Sequence, residues 1–207
     1  MLPENHTWED LVSKAFAMCA NLSAMYQQRT DPTTIREFVT YDTEAAACTE
    51  VMIDVLTGET QVVRTDILYD GGKTMNGLID VGQAEGGFIM GLGYMLMEKT
   101  VYDPETGRCL NNGTWDYKPP LVKDIPVDFR ITFLENKPNE VGVLGSKAVG
   151  EPPLLLSSSI LFALREAVSS AREDKGVRGH FKLDLPATPE TVQQACLVDS
   201  SLFKFSV

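Results

Sequence analysis

An apolar stripe that follows two consecutive prolines is the strongest constraint on the fold of this 207-residue chain. Pro152 and Pro153 suit a first helical turn, where a missing backbone N–H group is no loss. The apolar residues that follow at helical spacing are Leu154, Leu155, Leu161, Leu164, Ala167 and Ala171. The pattern predicts a helix over residues 152 to 174 with one buried stripe and with Glu151 at its N-cap.

Alternating apolar residues predict strands in two other regions. Apolar side chains at 51, 53 and 55 alternate before the turn "LTGE", and Val63, Thr65 and Ile67 alternate after it, which indicates a β-hairpin with long arms. A second alternating segment, "VDFRITFLE", begins at Val127. Together with the helices, these strands predict an α+β fold in which helices pack on a mixed sheet.

Two further helices are expected near the ends of the chain. Thr7 followed three residues later by Asp10 has the pattern of a helix start, and apolar residues recur at helical spacing from Leu11 to Met25. This predicts a helix over residues 8 to 26, followed by a polar loop. Thr188, followed by a proline and a glutamate, begins a short helix that ends near Cys196.

The segment from residue 80 to 103 has the apolar content of a helix, yet it contains four interior glycines. Each glycine in a helix interior costs about 1 kcal/mol relative to alanine. The glycines at 86, 87, 91 and 93 therefore need either the close approach of another backbone or a ligand. The residues alone leave both explanations open.

Composition excludes several classes of function. Twenty-nine acidic against eighteen basic residues give a net charge of −11, which argues against nucleic-acid binding. No apolar window reaches the length of about 18 residues expected of a membrane span, and Met1 is not followed by a signal-peptide pattern, so we expect a soluble cytoplasmic protein. Four scattered cysteines and two histidines provide no self-contained zinc or iron–sulfur site, and the cysteines are expected to be reduced structural thiols.

Glu151 is the carboxylate with the most unusual local sequence. A helix N-terminus favours the ionised form, while the two prolines after Glu151 remove backbone donors that could hold its side chain. Gly150 allows a tight backbone approach, and Lys147 is either a charge partner of Glu151 or a solvated lysine. From these residues alone, a surface glutamate that caps a helix is the favoured interpretation.

Longer stretches resemble the xanthine dehydrogenase and aldehyde oxidase family of molybdenum hydroxylases. The stretch "GSKAVGEPPLLLSSSILFAL" is similar to a signature of that family. The stretches "AAACTEVMIDVLTGETQVVRTDILYDGG", "IDVGQAEGGFIMGLGYMLMEK", "TWDYKPPLVKDIPVDFRITF" and "FKLDLPATPETVQQAC" are similar to further segments in family order. The resemblance implies that residues 1–207 form part of a molybdenum-cofactor domain, its C-terminal half, and that this part is incomplete alone.

The resemblance also implies roles for individual residues. Glu151 matches the catalytic base, and Gln83 matches a glutamine that contacts the pterin of a molybdenum–molybdopterin cofactor. Gly82, Lys147 and Gly150 are expected beside the same cofactor. The implied reaction oxidises a small aldehyde or N-heterocycle with oxygen from water, and the implied complete enzyme is a homodimer. That enzyme also holds iron–sulfur clusters and FAD, neither of which this segment binds.

Two hypotheses about the chain remain open at this stage. In the first, it is a fragment of a molybdenum hydroxylase that is inactive without the rest of the enzyme. In the second, it is a non-catalytic binding or assembly module, or a small subunit, derived from that domain.

The residues do not distinguish aldehyde oxidase from xanthine dehydrogenase, and the segment from 27 to 46 looks shorter than the family pattern. Strands and helices without their partners are expected to leave apolar faces exposed and to make the isolated chain poorly soluble.

Overall fold

The computed structural model describes residues 6–24 and 41–199, which belong to two compact units divided after Val39. The first unit contains helix α1, Trp8–Ala17. The expected start is confirmed, because the hydroxyl oxygen of Thr7 accepts a hydrogen bond from the backbone N–H of Asp10 and the carboxylate of Asp10 accepts one from the N–H of Thr7. The expected extension beyond Ala17 is wrong as far as residue 24, because Cys19 adopts a positive φ of 53° that ends the helix. Residues 25 and 26 of the predicted helix lie outside the described residues.

A three-stranded mixed sheet forms the centre of the second unit. Strand β1, Ala45–Ile53, pairs antiparallel with β2, Thr60–Tyr69, and β2 pairs parallel with β3, Asp128–Phe133. The strand order is β1-β2-β3. The predicted hairpin, the second strand and the α+β class are therefore confirmed.

A register shift in the hairpin changes which valine enters the core. Glu50 pairs with Arg64, but the next residue of β1, Val51, pairs with Val62, so Val63 has no partner in β1. A bulge of this kind reverses the side-chain alternation on the bulged strand. Val62 is consequently buried and Val63 only half-buried, so the expected inward alternation that began at Val63 is wrong at that position.

The described residues contain five α-helices, four of which lie in the second unit. Helix α2, Gly77–Leu96, connects β2 to β3, and its N-cap Asn76 accepts hydrogen bonds from the N–H groups of Leu78 and Ile79. Helices α3, Pro152–Leu156, α4, Ser158–Glu173, and α5, Pro189–Ala195, follow β3. The fully buried side chains of the core include Tyr69, Phe88, Leu92, Ile160, Leu164, Val168, Val192 and Cys196.

The predicted helix over residues 152 to 174 is present, but it breaks at Ser157. The buried hydroxyl of Ser157 donates to the carbonyl oxygen of Leu154 at 2.7 Å, and the backbone N–H of Ser157 bonds to the same oxygen at 3.3 Å. A serine that bonds back three residues competes with regular helical hydrogen bonds. The result is a five-residue α3 joined directly to the sixteen-residue α4.

The stretch Pro152–Glu173 is long and apolar enough, by composition, to cross a membrane. The expectation that no window reaches that length is therefore wrong by this criterion. The core supplies the physical reason for the apolar content, because Ile160, Leu164 and Val168 of α4 are fully buried. An amphipathic core helix needs such a stripe.

Large apolar side chains are exposed at many places on the described residues, as expected for a domain part that lacks its neighbours. Trp115 is 88% exposed and Leu155 74% exposed. On α2, one exposed face carries Leu78, Ile79, Met90 and Tyr94, with Gly82 and Gly86 between them. We call these six residues the open face of α2. Such a continuous apolar patch on a helix indicates a surface that other groups cover.

Candidate functional site

The loop from Ser146 to Glu151 is attached to the end of strand β2. The backbone N–H of Lys147 donates to the carbonyl oxygen of Gly71 at 2.9 Å, and Gly72 forms an antiparallel bridge with Ser146. From the other side, the amide of Asn139 donates to the carbonyl oxygen of Ser146 at 3.1 Å. These contacts fix the backbone just before Glu151.

Lys147 is held by an ion pair with Asp70. Its Nζ lies 2.8 Å from Oδ2 of Asp70, and both side chains are only 12% exposed. The same ammonium group donates to the backbone carbonyl of Asp42 at 2.7 Å. The sequence led us to expect that Lys147 is either a charge partner of Glu151 or a solvated lysine. Both expectations are wrong, because among the described residues Lys147 pairs with Asp70 and no ion pair joins it to Glu151.

The Lys147 ammonium group lowers the pKa of the Asp70 carboxyl, since it donates directly to the ionised form. Burial acts in the opposite direction, and the backbone N–H of Gly72, which donates to Oδ1 at 3.0 Å, again favours the carboxylate. Asp70 is therefore ionised and fully paired at neutral pH. The loop is tied to β2 by a charge-assisted hydrogen bond as well as by backbone contacts.

Tyr69 provides a third attachment. Its hydroxyl donates to the carbonyl oxygen of Ala148 at 2.6 Å, and its ring is buried against Phe133 with the centroids 5.3 Å apart. Burial raises the pKa of Tyr69 to about 12, so the hydroxyl keeps its proton and remains a donor. The last residue of β2, Tyr69, and the next residue, Asp70, thus hold two consecutive residues of the loop, Ala148 and Lys147.

Glu151 follows this fixed segment and has an exposed side chain. The residue adopts helical angles, φ −85° and ψ −41°, and no side-chain hydrogen bond caps α3. None of the described residues donates a hydrogen bond to its carboxylate. The backbone of Glu151 is therefore fixed while its carboxylate is available, as the two following prolines predict.

Gln83 lies beside this loop on the exposed side of α2. A Cβ atom built on Gly150 would lie 3.0 Å from Oε1 of Gln83, so the two residues are immediate neighbours. Within residues 6–24 and 41–199, the side-chain amide of Gln83 has no hydrogen-bond partner, and it is exposed. The structure thus places Gln83 next to Gly150, the residue that precedes Glu151.

The glycines of α2 divide into two groups with different surroundings. A side chain on Gly87 would collide with the carbonyl oxygen of Gly150, and one on Gly91 would collide with Ser157 and with the carbonyl of Leu154. These two glycines allow the backbones of α2 and α3 to approach closely. A Cβ atom on Gly82 or Gly86, by contrast, would meet no atom within 4 Å.

The second group therefore has no packing explanation within the described residues. Gly82 and Gly86 lie one helical turn apart on the open face of α2, next to Gln83. Of the two explanations that the sequence left open, close packing therefore accounts for Gly87 and Gly91 and does not account for Gly86.

Sequence reasoning missed Tyr69, Asp70 and Asn139, which hold the Glu151 loop. A signal for Asp70 was present, since an acidic residue followed by Gly71 and Gly72 at the end of an apolar strand is typical of a turn with a paired carboxylate.

In the described part of the chain, no group of three or more His, Cys, Asp or Glu side chains is arranged to hold a metal ion. All four cysteines are free.

Comparison with known proteins identifies the family to which the chain belongs. The family model of the molybdopterin cofactor-binding domain matches residues 2–126. Xanthine dehydrogenase/oxidase of Gallus gallus is 43% identical over 198 residues, which are 92% of this chain and 14% of that protein. Indole-3-acetaldehyde oxidase of Arabidopsis thaliana is 43% identical over 203 residues, which are 93% of this chain and 15% of that protein.

Solved structures show the same fold. The quinoline 2-oxidoreductase of Pseudomonas putida 86 matches 71% of this chain and 18% of its own with a TM-score of 0.61 and 28% identity. The aldehyde oxidoreductase of Desulfovibrio gigas matches 72% of this chain and 15% of its own with a TM-score of 0.58 and 31% identity. The chain thus spans about one seventh of the length of these curated relatives. It belongs to the molybdopterin cofactor-binding domain family of the molybdenum hydroxylases.

Proposed function

We propose that this chain supplies the catalytic base and part of the cofactor-contact surface of a molybdenum hydroxylase that oxidises aldehydes or N-heterocycles with oxygen from water. The observation that supports this most strongly is the position of Gln83 next to Gly150, the residue before Glu151, at a loop that is fixed in place, with neither the Gln83 amide nor the Glu151 carboxylate hydrogen-bonded within the described residues. A loop that carried only solvated surface residues would not require the three separate attachments that hold this loop.

The residues present fit a molybdopterin cofactor. Gly82 and Gly86 leave space on α2 that a Cβ atom would occupy, and the free amide of Gln83 offers both a donor and an acceptor beside that space. Gly150 contributes a close backbone approach on the other side. Gln83 is the residue that would hold the cofactor, with Gly82, Gly86 and Gly150 shaping the surface against which it rests.

When bound, the molybdenum cofactor supplies the two-electron oxidation of the substrate carbon. Glu151 then acts as the general base, because its carboxylate is exposed and carries no internal hydrogen bond that must first break. Lys147 does not neutralise that carboxylate, since its charge is paired with Asp70. Gln83 orients the cofactor relative to Glu151 through a hydrogen bond from its side-chain amide.

The rest of the site comes from other segments of a longer enzyme. We propose that these segments cover the open face of α2 and exclude water from Glu151. Iron–sulfur clusters and FAD belong to those segments, and the complete enzyme is a cytosolic homodimer. The relatives named above include both a xanthine dehydrogenase/oxidase and an indole-3-acetaldehyde oxidase at 43% identity, so this similarity favours neither substrate class.

A chimeric enzyme tests the proposal. This chain replaces the matched 198-residue segment in the xanthine dehydrogenase/oxidase of Gallus gallus, and the product is expressed in a host that makes molybdenum cofactor. We expect molybdenum content near that of the parent enzyme, with turnover of an aldehyde or an N-heterocycle. A chimera that binds molybdenum but does not turn over would instead favour the non-catalytic assembly module.

A further inference from the structure

Lys147 has a position in the Glu151 loop that the cofactor role does not explain. It lies four residues before Glu151, yet its ammonium group contacts Asp70 at the end of β2, and its side chain is 12% exposed. Two of its three donors are used by Oδ2 of Asp70 and the carbonyl oxygen of Asp42. The remaining donor belongs to an ammonium group that is already paired with a carboxylate on a largely buried side chain, which disfavours contact with an external group.

Both carboxylate oxygens of Asp70 accept a hydrogen bond. One carboxylate oxygen accepts from Lys147 and the other accepts from the N–H of Gly72, while the N–H of Asp70 donates to the carbonyl of Glu44. A buried carboxylate with every partner in place has low freedom to rearrange. The pair is therefore a rigid connection between β2 and the loop rather than a mobile surface contact.

Lys147 of the Asp70–Lys147 pair lies only a few residues before Glu151 along the chain. Between Lys147 and Glu151 the chain contains only Ala148, Val149 and Gly150. Ala148 is held by Tyr69, and the carbonyl of Gly150 packs against Gly87 of α2. An opening of the Asp70–Lys147 pair would release the start of a segment whose end carries Glu151.

We infer that the Asp70–Lys147 ion pair is a positioning device that holds the backbone of Glu151 in the geometry needed for proton transfer, and that Lys147 is not a cofactor ligand. This inference rests on the proposed function of Glu151. A displacement of about 1 Å at a catalytic group is enough to lower a rate by about 100-fold. Lys147 and Asp70 act through Glu151, so neither is a catalytic residue.

Amide hydrogen exchange of the full chain at neutral pH provides the first test. The variants are Lys147→Met, Asp70→Asn and the conservative Lys147→Arg. Arg130→Met is the matched control, because Arg130 pairs with Asp128 at 2.6 Å on an exposed part of the sheet, where its side chain is 56% exposed. The peptides that contain residues 146–151 and 160–168 are compared.

We expect Lys147→Met and Asp70→Asn to accelerate exchange in residues 146–151 by about tenfold or more, as local opening predicts, with residues 160–168 unchanged. Lys147→Arg should restore protection because arginine also pairs with a carboxylate. Arg130→Met should change neither peptide. Unchanged exchange in residues 146–151, or an equal increase in both peptides, would overturn the inference.

A second measurement separates positioning from cofactor binding. In the chimeric enzyme, Lys147→Met should lower kcat by about tenfold or more while molybdenum content and KM stay near those of the unsubstituted chimera. Loss of molybdenum with unchanged exchange would show that Lys147 is a cofactor contact and would overturn the inference. If Glu151→Gln retains full turnover while Lys147→Met still accelerates exchange, the proposed role of Glu151 fails and the loop attachment stands.

Discussion

The Cα atom of Gly87 faces the carbonyl oxygen of Gly150 so closely that no side chain fits between them. Gly87 lies on α2 four residues after Gln83, and Gly150 directly precedes Glu151. This single contact therefore sets the distance between the helix that carries Gln83, the proposed cofactor contact, and the loop that carries Glu151, the proposed base. The other attachments of the loop, from Tyr69 and Asp70, approach from β2.

Adjacent glycines of α2 should respond in opposite directions to the same substitution. Gly87→Ala forces a methyl group against a backbone carbonyl and should destabilise the chain by about 2 kcal/mol, as overpacking does. Gly86→Ala meets open space and should stabilise it by up to about 1 kcal/mol, because alanine favours the helix. Urea unfolding followed by circular dichroism measures both. Equal effects of the two substitutions would contradict the close contact with Gly150.

The stabilising substitutions should nevertheless impair the site. Gly82→Ala and Gly86→Ala add a methyl group where the cofactor is proposed to rest, so the molybdenum content of the chimeric enzyme should fall by about fivefold or more, even though the fold is retained. Glu85→Ala on the same helix is a control, since Glu85 is exposed and has no proposed contact. Full molybdenum content in both glycine variants would show that this surface does not face the cofactor.

Acid should weaken the chain through Asp70. Its folded-state pKa is lower than the ordinary value of 3.8, so the stabilising contribution is complete above the unfolded pKa and is lost as pH falls through the folded value. At pH 7, Asp70→Asn should lower the free energy of unfolding by about 2 kcal/mol, the scale of a charge-assisted hydrogen bond. The difference between wild type and Asp70→Asn should shrink below pH 3.8. Urea titrations at pH 7 and pH 3 measure it, and a constant difference would contradict the ionised pairing with Lys147.

The open face of α2 should determine the solubility of the isolated chain. Met90 and Tyr94 are 68% and 60% exposed, and such apolar patches promote association. Met90→Lys should therefore reduce both light scattering and binding of an apolar dye, while the fold is unchanged. Val168→Lys, at a fully buried position, should unfold the chain. In the chimeric enzyme Met90→Lys should impair assembly, because the same face is proposed to be covered there.

Periodicity and turn residues were sufficient to predict the hairpin, β3 and the start of α1. They failed where a single contact changed the local geometry. The bulge at Val63 depends on pairing across two strands, and the break at Ser157 depends on the approach of Gly91 from another helix. Local patterns contain neither contact.

In the candidate site, too, local sequence patterns predicted some features, while others depended on long-range contacts. Glu151 and Gln83 were predicted as site residues from their family motifs, whereas the contact between Gln83 and Gly150 required the structure. The partner of Lys147 could not be found from spacing, because Asp70 lies 77 residues away in the chain. Long-range ion pairs depend on the packing of β2 against the loop, which no local window contains.

The most direct measurement of the central claim is the turnover of the molybdenum-loaded chimera with Glu151→Gln. The substitution keeps the shape of the side chain, and Glu173→Gln, at the exposed end of α4, is the control with the same charge change. We predict unchanged molybdenum content, an unchanged melting temperature and a loss of turnover of about 100-fold to 10,000-fold for Glu151→Gln alone. Turnover within about tenfold of the unsubstituted chimera would show that Glu151 is not the catalytic base.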